Sequence, residues 1–443
     1  MASDTATRLI ATFPGGVNSV NGIGIVTQQK ISDMLSPYRV LDLADEEGLL
    51  CGKLLGDLGA DVIKIERPGG DSARNVGPFY HDEVHPEKSL FWFALNTSKR
   101  GITLNIEKTD GKEIFKRLVK SADFVIESFP PGHMDKLGLG YSALEKINPR
   151  IIVVSITPFG QTGPYRDYRA PDIVAWATGG RMYPVGDADR PPVRISHYSQ
   201  AYLHAGAEAA AGALVALHYR ETTGEGQHVD VSVQACVAQL LWATSDWDMI
   251  HMMPRRGSLR MSDNPAAARL LTMWPCKDGY IVWLPWGGPQ GRMYWPPLVK
   301  WMDEEGMATD FLKEFDWGTL SHQTVTGELA DAIVEPTAKF FMAHTRAELL
   351  KGAVKHKAML CPVATTSDIL ESPQLAARGF WTAVEHPELG TTITYPGAFA
   401  HSSATPPRIR CRAPLIGEHN AEVYEELGFS KQEILILKQA NVI

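Results

Sequence analysis

The sequence predicts an α/β protein: a Rossmann-like parallel-sheet domain accompanied by a smaller α+β domain. Three observations lead there. Short apolar runs alternate with amphipathic segments through the first half of the chain, the pattern of strands joined by crossover helices. The run Arg150–Ile156 is apolar on both faces, as a strand covered by helices on two sides must be. From Ser262 onward the texture turns to tryptophan, glycine and proline, which sets a second unit apart from the first.

The elements follow in order. Arg39–Leu43 reads as the first strand, and Leu49–Leu58 as a helix ended by Gly59. Asp61–Glu66 is the second strand, stopped by Arg67-Pro68-Gly69-Gly70. Gly101–Asn105 is the third. Lys112–Ser121 carries Ile114, Phe115, Leu118 and Val119 on one helical face and leads into strand Asp123–Glu127. A helix over Tyr141–Ile147 precedes Arg150–Ile156. Ala201–Tyr219 is a long helix rich in alanine and suited to close packing; Thr223–Gly226 ends it, and His228–Val233 is a further strand. In the second unit, Leu271–Trp274, Cys276–Trp283 and Trp286–Pro297 suggest antiparallel strands, with helices near Leu329–Met342 and Arg346–Val354. The last helix is announced by Ser430 and Glu433, a capping box ahead of Ile434 and Leu437.

Composition narrows the function. A chain of 443 residues is too long for one ordinary domain. A net charge of −8 gives no global field for nucleic acid or an anionic membrane, so neither is expected as a partner. No apolar run approaches the roughly 20 residues of a membrane span. Residues 1–37 lack a basic stretch followed by an apolar one and read as an extension before the first strand. The five cysteines are scattered, without metal-ligand spacing, which suits reduced thiols in a cytoplasmic protein.

Ligands of parallel sheets sit at the carboxyl ends of the strands. The turns and strand ends here carry Arg67, Arg74, Lys99, Arg100, Lys136 and Arg169, which fits either a polyanionic, phosphate-bearing ligand or scattered surface cations. After the first strand stands Ala44-Asp-Glu-Glu-Gly48 rather than GxGxxG, and no GK[ST] loop occurs, which disfavours dinucleotides and nucleoside triphosphates. No GxSxG nucleophile elbow is present. His197, His204, His218 and His228 cluster in sequence without a carboxylate at metal spacing, and no metal is expected. Trp283, Trp286 and Trp295 suit either an aromatic pocket or core packing.

A set of blocks taken together resembles the family III CoA-transferases. They include Val40-Leu-Asp-Leu43, Leu54–Gly69 with Asp71 and Arg74, Lys99-Arg100 with Ile102–Leu104, and Ala122–Glu127 with Phe129 and Gly132. Further along stand Leu137–Leu139, Asn148–Ile151, Phe159–Tyr165, Asp172, Gly179-Gly180, Thr223–Gln227 and Leu415–His419. The resemblance implies a large domain from residues 38–235 and 385–443, a small domain over 260–370 with linkers between, and two protomers interlocked like links of a chain. It implies a coenzyme A thioester as substrate or ligand and no permanently bound cofactor. By the same analogy the CoA contacts are Arg67, Leu95, Lys99, Phe129, Lys136, Arg169 and Ala170.

One departure bears on mechanism. Transferases of this family attack the donor thioester with an Asp carboxylate at the start of the helix before the TGxGQ block. Here that position falls on Ala201 or Tyr202, and no carboxylate lies between Arg190 and Glu208. The histidine used by related racemases falls on Pro171. Glu46 and Glu47 stand in the loop after the first strand as candidate substitute nucleophiles, and Asp172 is expected to orient the site. Trp286–Gln290 is a partial match to the family's mobile glycine-rich loop. Three functions follow: a nucleophile-lacking subunit paired with a homologous Asp-bearing chain, as in transferases that activate aromatic succinates with succinyl-CoA; a stand-alone enzyme using another carboxylate; or a CoA-ester-binding protein without transferase activity.

Overall fold

The computed structural model describes residues 33–186, 190–195, 199–240, 268, 270–322 and 324–443. Most of the expected N-terminal extension, His197 and the onset of the second unit at Ser262 lie outside the described residues. Six parallel strands form one sheet: β1 (Arg39–Asp42), β2 (Asp61–Glu66), β3 (Lys99–Thr103), β4 (Phe124–Glu127), β5 (Ile152–Thr157) and β6 (His228–Ser232). Their order, β3-β2-β1-β4-β5-β6, reverses direction between β1 and β4, the switch point at which doubly wound sheets open a crevice.

Helices cover both faces: α1 (Leu49–Asp57), α2 (Leu90–Leu95), α3 (Thr109–Val119), α4 (His133–Leu137), α5 (Tyr141–Leu144), α6 (Asp172–Thr178), α7 (Gln200–Thr223) and α8 (Val233–Gln239). One face buries Val40, Val62, Phe124, Ile126, Ile152 and Val154 against α1, α7 and α8. The other buries Leu41, Ile63, Val125 and Val153 against α3 and the C-terminus. Each strand thus splits its alternate residues between two apolar clusters, which is why these runs read as continuously apolar. Close approach of α7 depends on small residues. A Cβ on Gly206 would lie 2.9 Å from Leu50 Cβ, and Ala205, Ala209 and Ala213 are fully buried.

The C-terminal helices α15 (Asn420–Glu426) and α16 (Lys431–Gln439) close the edge at β3. Thr103 N–H donates to Asn420 Oδ1 (2.8 Å), Gly101 N–H to His419 Nδ1 (3.1 Å), and Tyr424 OH to Thr103 O (2.5 Å). An edge strand's free donors and acceptors are thereby satisfied by side chains instead of by another strand. The capping box of Ser430 and Glu433 is present on α16.

Residues 270–362 build a separate apolar cluster. A three-stranded antiparallel sheet, β7 (Met273–Cys276), β8 (Gly279–Trp283) and β9 (Leu360–Pro362), packs with α9 (Gly288–Glu304), α10 (Asp310–Glu314), α11 (Gly327–Ala343) and α12 (Arg346–His356). The stretch Trp286–Pro297 is therefore mostly the start of a helix, against the expectation of strands. Pro296 and Pro297 each cost a helix interior about 3 kcal/mol. Burial of Trp295, Leu298, Trp301 and Met302, about 1.5–3 kcal/mol each, outweighs them. Trp283 and Trp295 belong to this core, with Trp295 stacked on Trp317 at 3.7 Å. After two short helices, α13 (Thr366–Leu370) and α14 (Pro373–Ala377), the hairpin β10 (Trp381–His386) and β11 (Thr391–Pro396) returns to pack Val384 and Tyr395 against Leu49 and Trp92. No helix among the described residues is long and apolar enough to cross a membrane.

Candidate active site

The loops at the carboxyl ends of β1 to β4 enclose a cleft of about 700 Å³. Asp45 lines it from β1, Arg67 and Gly69–Ser72 from β2, Leu104–Glu107 from β3, and Phe129, Pro130 and His133 from β4.

Beneath the cleft lies a lattice of buried charges. Lys99 Nζ, fully buried, donates to Asp42 Oδ2 (2.8 Å), Leu49 O (2.9 Å) and Asn96 Oδ1 (2.9 Å), so its three protons are all spent. Lys64 pairs with Asp71 (2.9 Å) and donates to Ala44 O. Burial alone would lower the Lys64 pKa, but Asp71, Asp42 and Glu66 hold it raised. Arg74 forks onto Glu66 (2.6 and 2.8 Å), reaches Glu87 (2.6 Å), and lies 3.8 Å over the Trp92 ring. These pairs fix the Ala44 loop after β1 and the Arg67–Ser72 turn after β2, two walls of the cleft.

The expected CoA contacts therefore divide. Arg67 is exposed, lines the cleft, and its guanidinium makes no ion pair among the described residues. Phe129 lines the cleft as well. Lys99 and Leu95 do not. Lys99 opens β3 at the amino end of the strand and serves as a structural cation; Leu95 packs against the cluster around Trp92 and Phe93. Arg74 and Arg100 are structural too, Arg100 pairing with Asp61, Glu422 and Glu426. Lys136 is exposed on α4, one turn beyond His133, and Arg169 is exposed on the loop between β5 and α6. Ala170 is buried, and its carbonyl accepts the Tyr202 hydroxyl. Leu104–Glu107 and His133 were missed by sequence reasoning. The signal was available: the residues just past β3 occupy the carboxyl end where ligands bind.

At the start of α7, Ala201 presents only a fully buried methyl group, and its N–H donates to Asp172 Oδ1 (2.8 Å). Asp172, first residue of α6, thus orients the N-terminus of α7. Burial raises its pKa, which the bond from Ala201 opposes. Tyr202 is buried, gives its one hydroxyl proton to Ala170 O, and sets its oxygen beside the Glu47 carboxyl. Burial first, then Asp45, raises Glu47 to about 7. Glu46 is exposed; its pKa is raised by partial burial and by Asp45 and Asp71. The site brings Glu47, Tyr202, Ala170 and Asp172 together, and α7 offers no carboxylate there.

This geometry is that of an α/β protein with a crevice at the carboxyl ends of its strands and, near it, a helix that begins with Gln200, Ala201 and Tyr202. The CoA-transferase family III model matches residues 35–420, and the chain belongs to that family. It is 36% identical to the succinyl-CoA:(R)-benzylsuccinate CoA-transferase subunit BbsE of Thauera aromatica, over 90% of this chain and 95% of the relative. It is 32% identical to a formyl-CoA:oxalate CoA-transferase of Streptomyces avermitilis, over 92% and 99% of the two chains. Among solved structures, a CAIB/BAIF family protein from Brucella suis superposes with a TM-score of 0.76 at 30% identity, covering 88% of this chain and 98% of that one.

Proposed function

We propose that this chain is the nucleophile-lacking subunit of a heteromeric CoA-transferase. It holds the coenzyme A moiety of an acyl-CoA donor, succinyl-CoA by analogy with its relatives, while a homologous Asp-bearing chain performs the covalent steps. The carrying observation is the start of α7, where Ala201 and Tyr202 stand in place of a carboxylate. A methyl group cannot attack a thioester, and the Tyr202 phenol, its pKa raised by burial and by Glu47, is held neutral against Ala170 O.

In the proposed reaction the partner's carboxylate adds to the donor thioester and expels CoA thiolate, giving a mixed anhydride. The thiolate then attacks the anhydride at the enzyme's acyl carbon, releasing the donor acid and leaving an enzyme–CoA thioester. An acceptor carboxylate reverses the two steps and leaves as its CoA ester. This chain's Arg67 supplies a fixed cation for phosphate, and Phe129 an apolar wall. An aromatic succinate as acceptor is supported by the relative BbsE, whose name gives (R)-benzylsuccinate. A partner chain is supported by α7 itself: its outer face carries Ala207, Ala211, Val215 and Tyr219 at four-residue spacing, with Val215 69% exposed. A helix apolar on both faces but covered on one has a second surface to bury.

A second reading makes Glu47 the nucleophile, favoured by its contact with Tyr202. Against it stands the position of Glu47 in the loop after β1 rather than at the start of α7, where the family resemblance puts the attacking carboxylate. Purified alone, the chain is expected to show no CoA exchange between succinyl-CoA and succinate. Co-expression with an Asp-bearing homologue is expected to restore it. Full exchange by the isolated chain would sink the subunit reading.

A further inference from the structure

The turn Ser128–His133 is a partition between two spaces. Phe129, Pro130 and His133 line the cleft, while Pro130 and Gly132 also line a cavity of about 30 Å³ behind it, room for one water. Glu127, the last residue of β4 and 4% exposed, lines that cavity with Ser155 and His228. Glu127 Oε2 accepts the Phe129 N–H at 2.7 Å. The Ser155 hydroxyl faces the same carboxyl and favours its ionised form, and Ser155 Oγ lies 2.9 Å from His228 Nε2. The His228 ring stacks on Tyr141 at 5.7 Å.

The charged groups facing Glu127 are acidic: Asp135 from α4 and Asp45 from the loop after β1, with Asp230 beside His228. Burial first, then these carboxylates, raises Glu127 to about 7 against the bonds from Ser155 and Phe129. Burial lowers the His228 pKa against the pull of Asp230 and Asp135, and the ring nitrogen facing Ser155 donates or accepts according to its tautomer. The string accordingly has two arrangements. With Glu127 ionised, Ser155 donates to the carboxylate and accepts from His228 Nε2–H. With Glu127 protonated, its O–H donates to Ser155, which donates to His228 Nε2. The two differ in how strongly the Phe129 N–H is held.

The geometry points to Glu127 as a positioning residue for the cleft: it fixes the Phe129 wall through the backbone and couples ligand affinity to its own protonation, which Ser155 and His228 accommodate by reorienting. The ligand half of this inference rests on the CoA-ester reading of the cleft. The ionised carboxylate makes the stronger, charge-assisted bond to Phe129. Ligand phosphates lie across the partition in an aqueous cleft, where repulsion is screened, so the direct 2.7 Å contact decides the sign. Binding at pH 8 is expected to be about five-fold tighter than at pH 6 on this account.

Protein labelled with ¹⁵N-phenylalanine tests the positioning half. The Phe129 amide resonance should titrate with a midpoint near neutrality. It should stop titrating in Glu127→Gln, whose amide still accepts from Phe129 and donates to Ser155. Ser155→Ala, which removes a bond favouring the ionised form, should move the midpoint upward. Calorimetry with succinyl-CoA at pH 6 and 8 tests the coupling. The five-fold ratio should appear in the wild type relative to Glu127→Gln, because the ligand's own phosphate titration cancels between the two. A Phe129 amide that does not titrate, or equal pH dependence in both proteins, would overturn the inference. Failure of succinyl-CoA to bind at either pH would instead count against the proposed function, and the amide titration would still decide the role of Glu127.

Discussion

Replacing Lys99 with methionine separates a structural cation from a phosphate ligand. The Lys99–Asp42 pair is fully buried on both sides, at 2.8 Å. Removing one member of such a pair strands the other, at a typical cost of 3–5 kcal/mol. Asp42 would keep the Ala44 N–H (3.0 Å) and the field of Lys64, so the low end, about 3 kcal/mol, is expected. With a urea slope of about 3 kcal/mol per molar, the unfolding midpoint should fall by about 1 M. Asp42→Asn combined with Lys99→Met should recover most of that loss, since neither charge remains and the asparagine carbonyl still accepts from Ala44. Affinity for a CoA ester, measured on the folded Lys99→Met protein, should stay within about two-fold of wild type. A variant with an unchanged midpoint and a CoA affinity lowered ten-fold or more would refute the reasoning and return Lys99 to the cleft.

Other outcomes follow from the same geometry. Arg67→Ala removes the cleft's exposed cation and should weaken CoA-ester binding roughly ten-fold or more, with little change in unfolding midpoint; calorimetry and a urea melt read the two separately. Glu47 has a folded pKa raised to about 7 from 4.5, so the native state binds its proton more tightly than the unfolded one. Its ionisation therefore costs stability that accumulates as pH rises from 4.5 through 7. Glu47→Gln should be more stable than wild type at pH 8, by about 1–3 kcal/mol, with the gain gone at pH 4.5; matched urea melts decide it.

Much of the sheet was legible because its signal is local. The apolar runs at Asp61–Glu66 and Arg150–Ile156 and the boundary glycines announce strands through side-chain pattern alone. β3 was misplaced by two residues, since Lys99 and Arg100 read as turn cations. Their burial is possible only because Asp42 and Asp61, far away in sequence, arrive to match them. That shift also hid Leu104–Glu107, which the corrected strand end puts in the cleft. The helix through Pro296-Pro297 was illegible for a similar reason: its support is tertiary, a tryptophan-rich core assembled from β8, α9, α11 and α12. The Glu127–Ser155–His228 string joins residues 73 positions apart and has no local mark at all. That Ala201 and Tyr202 open α7 is legible in the sequence, but that a carboxylate is expected there comes only from the family resemblance.

The central claim is that the acyl group is never carried by this chain. The most direct measurement is a hydroxylamine quench of the reconstituted heteromer turning over succinyl-CoA, followed by peptide mapping of both chains. The account predicts a hydroxamate on the partner's aspartate and none on this chain. A hydroxamate at Glu47, Glu46 or any other carboxylate of this chain would contradict it.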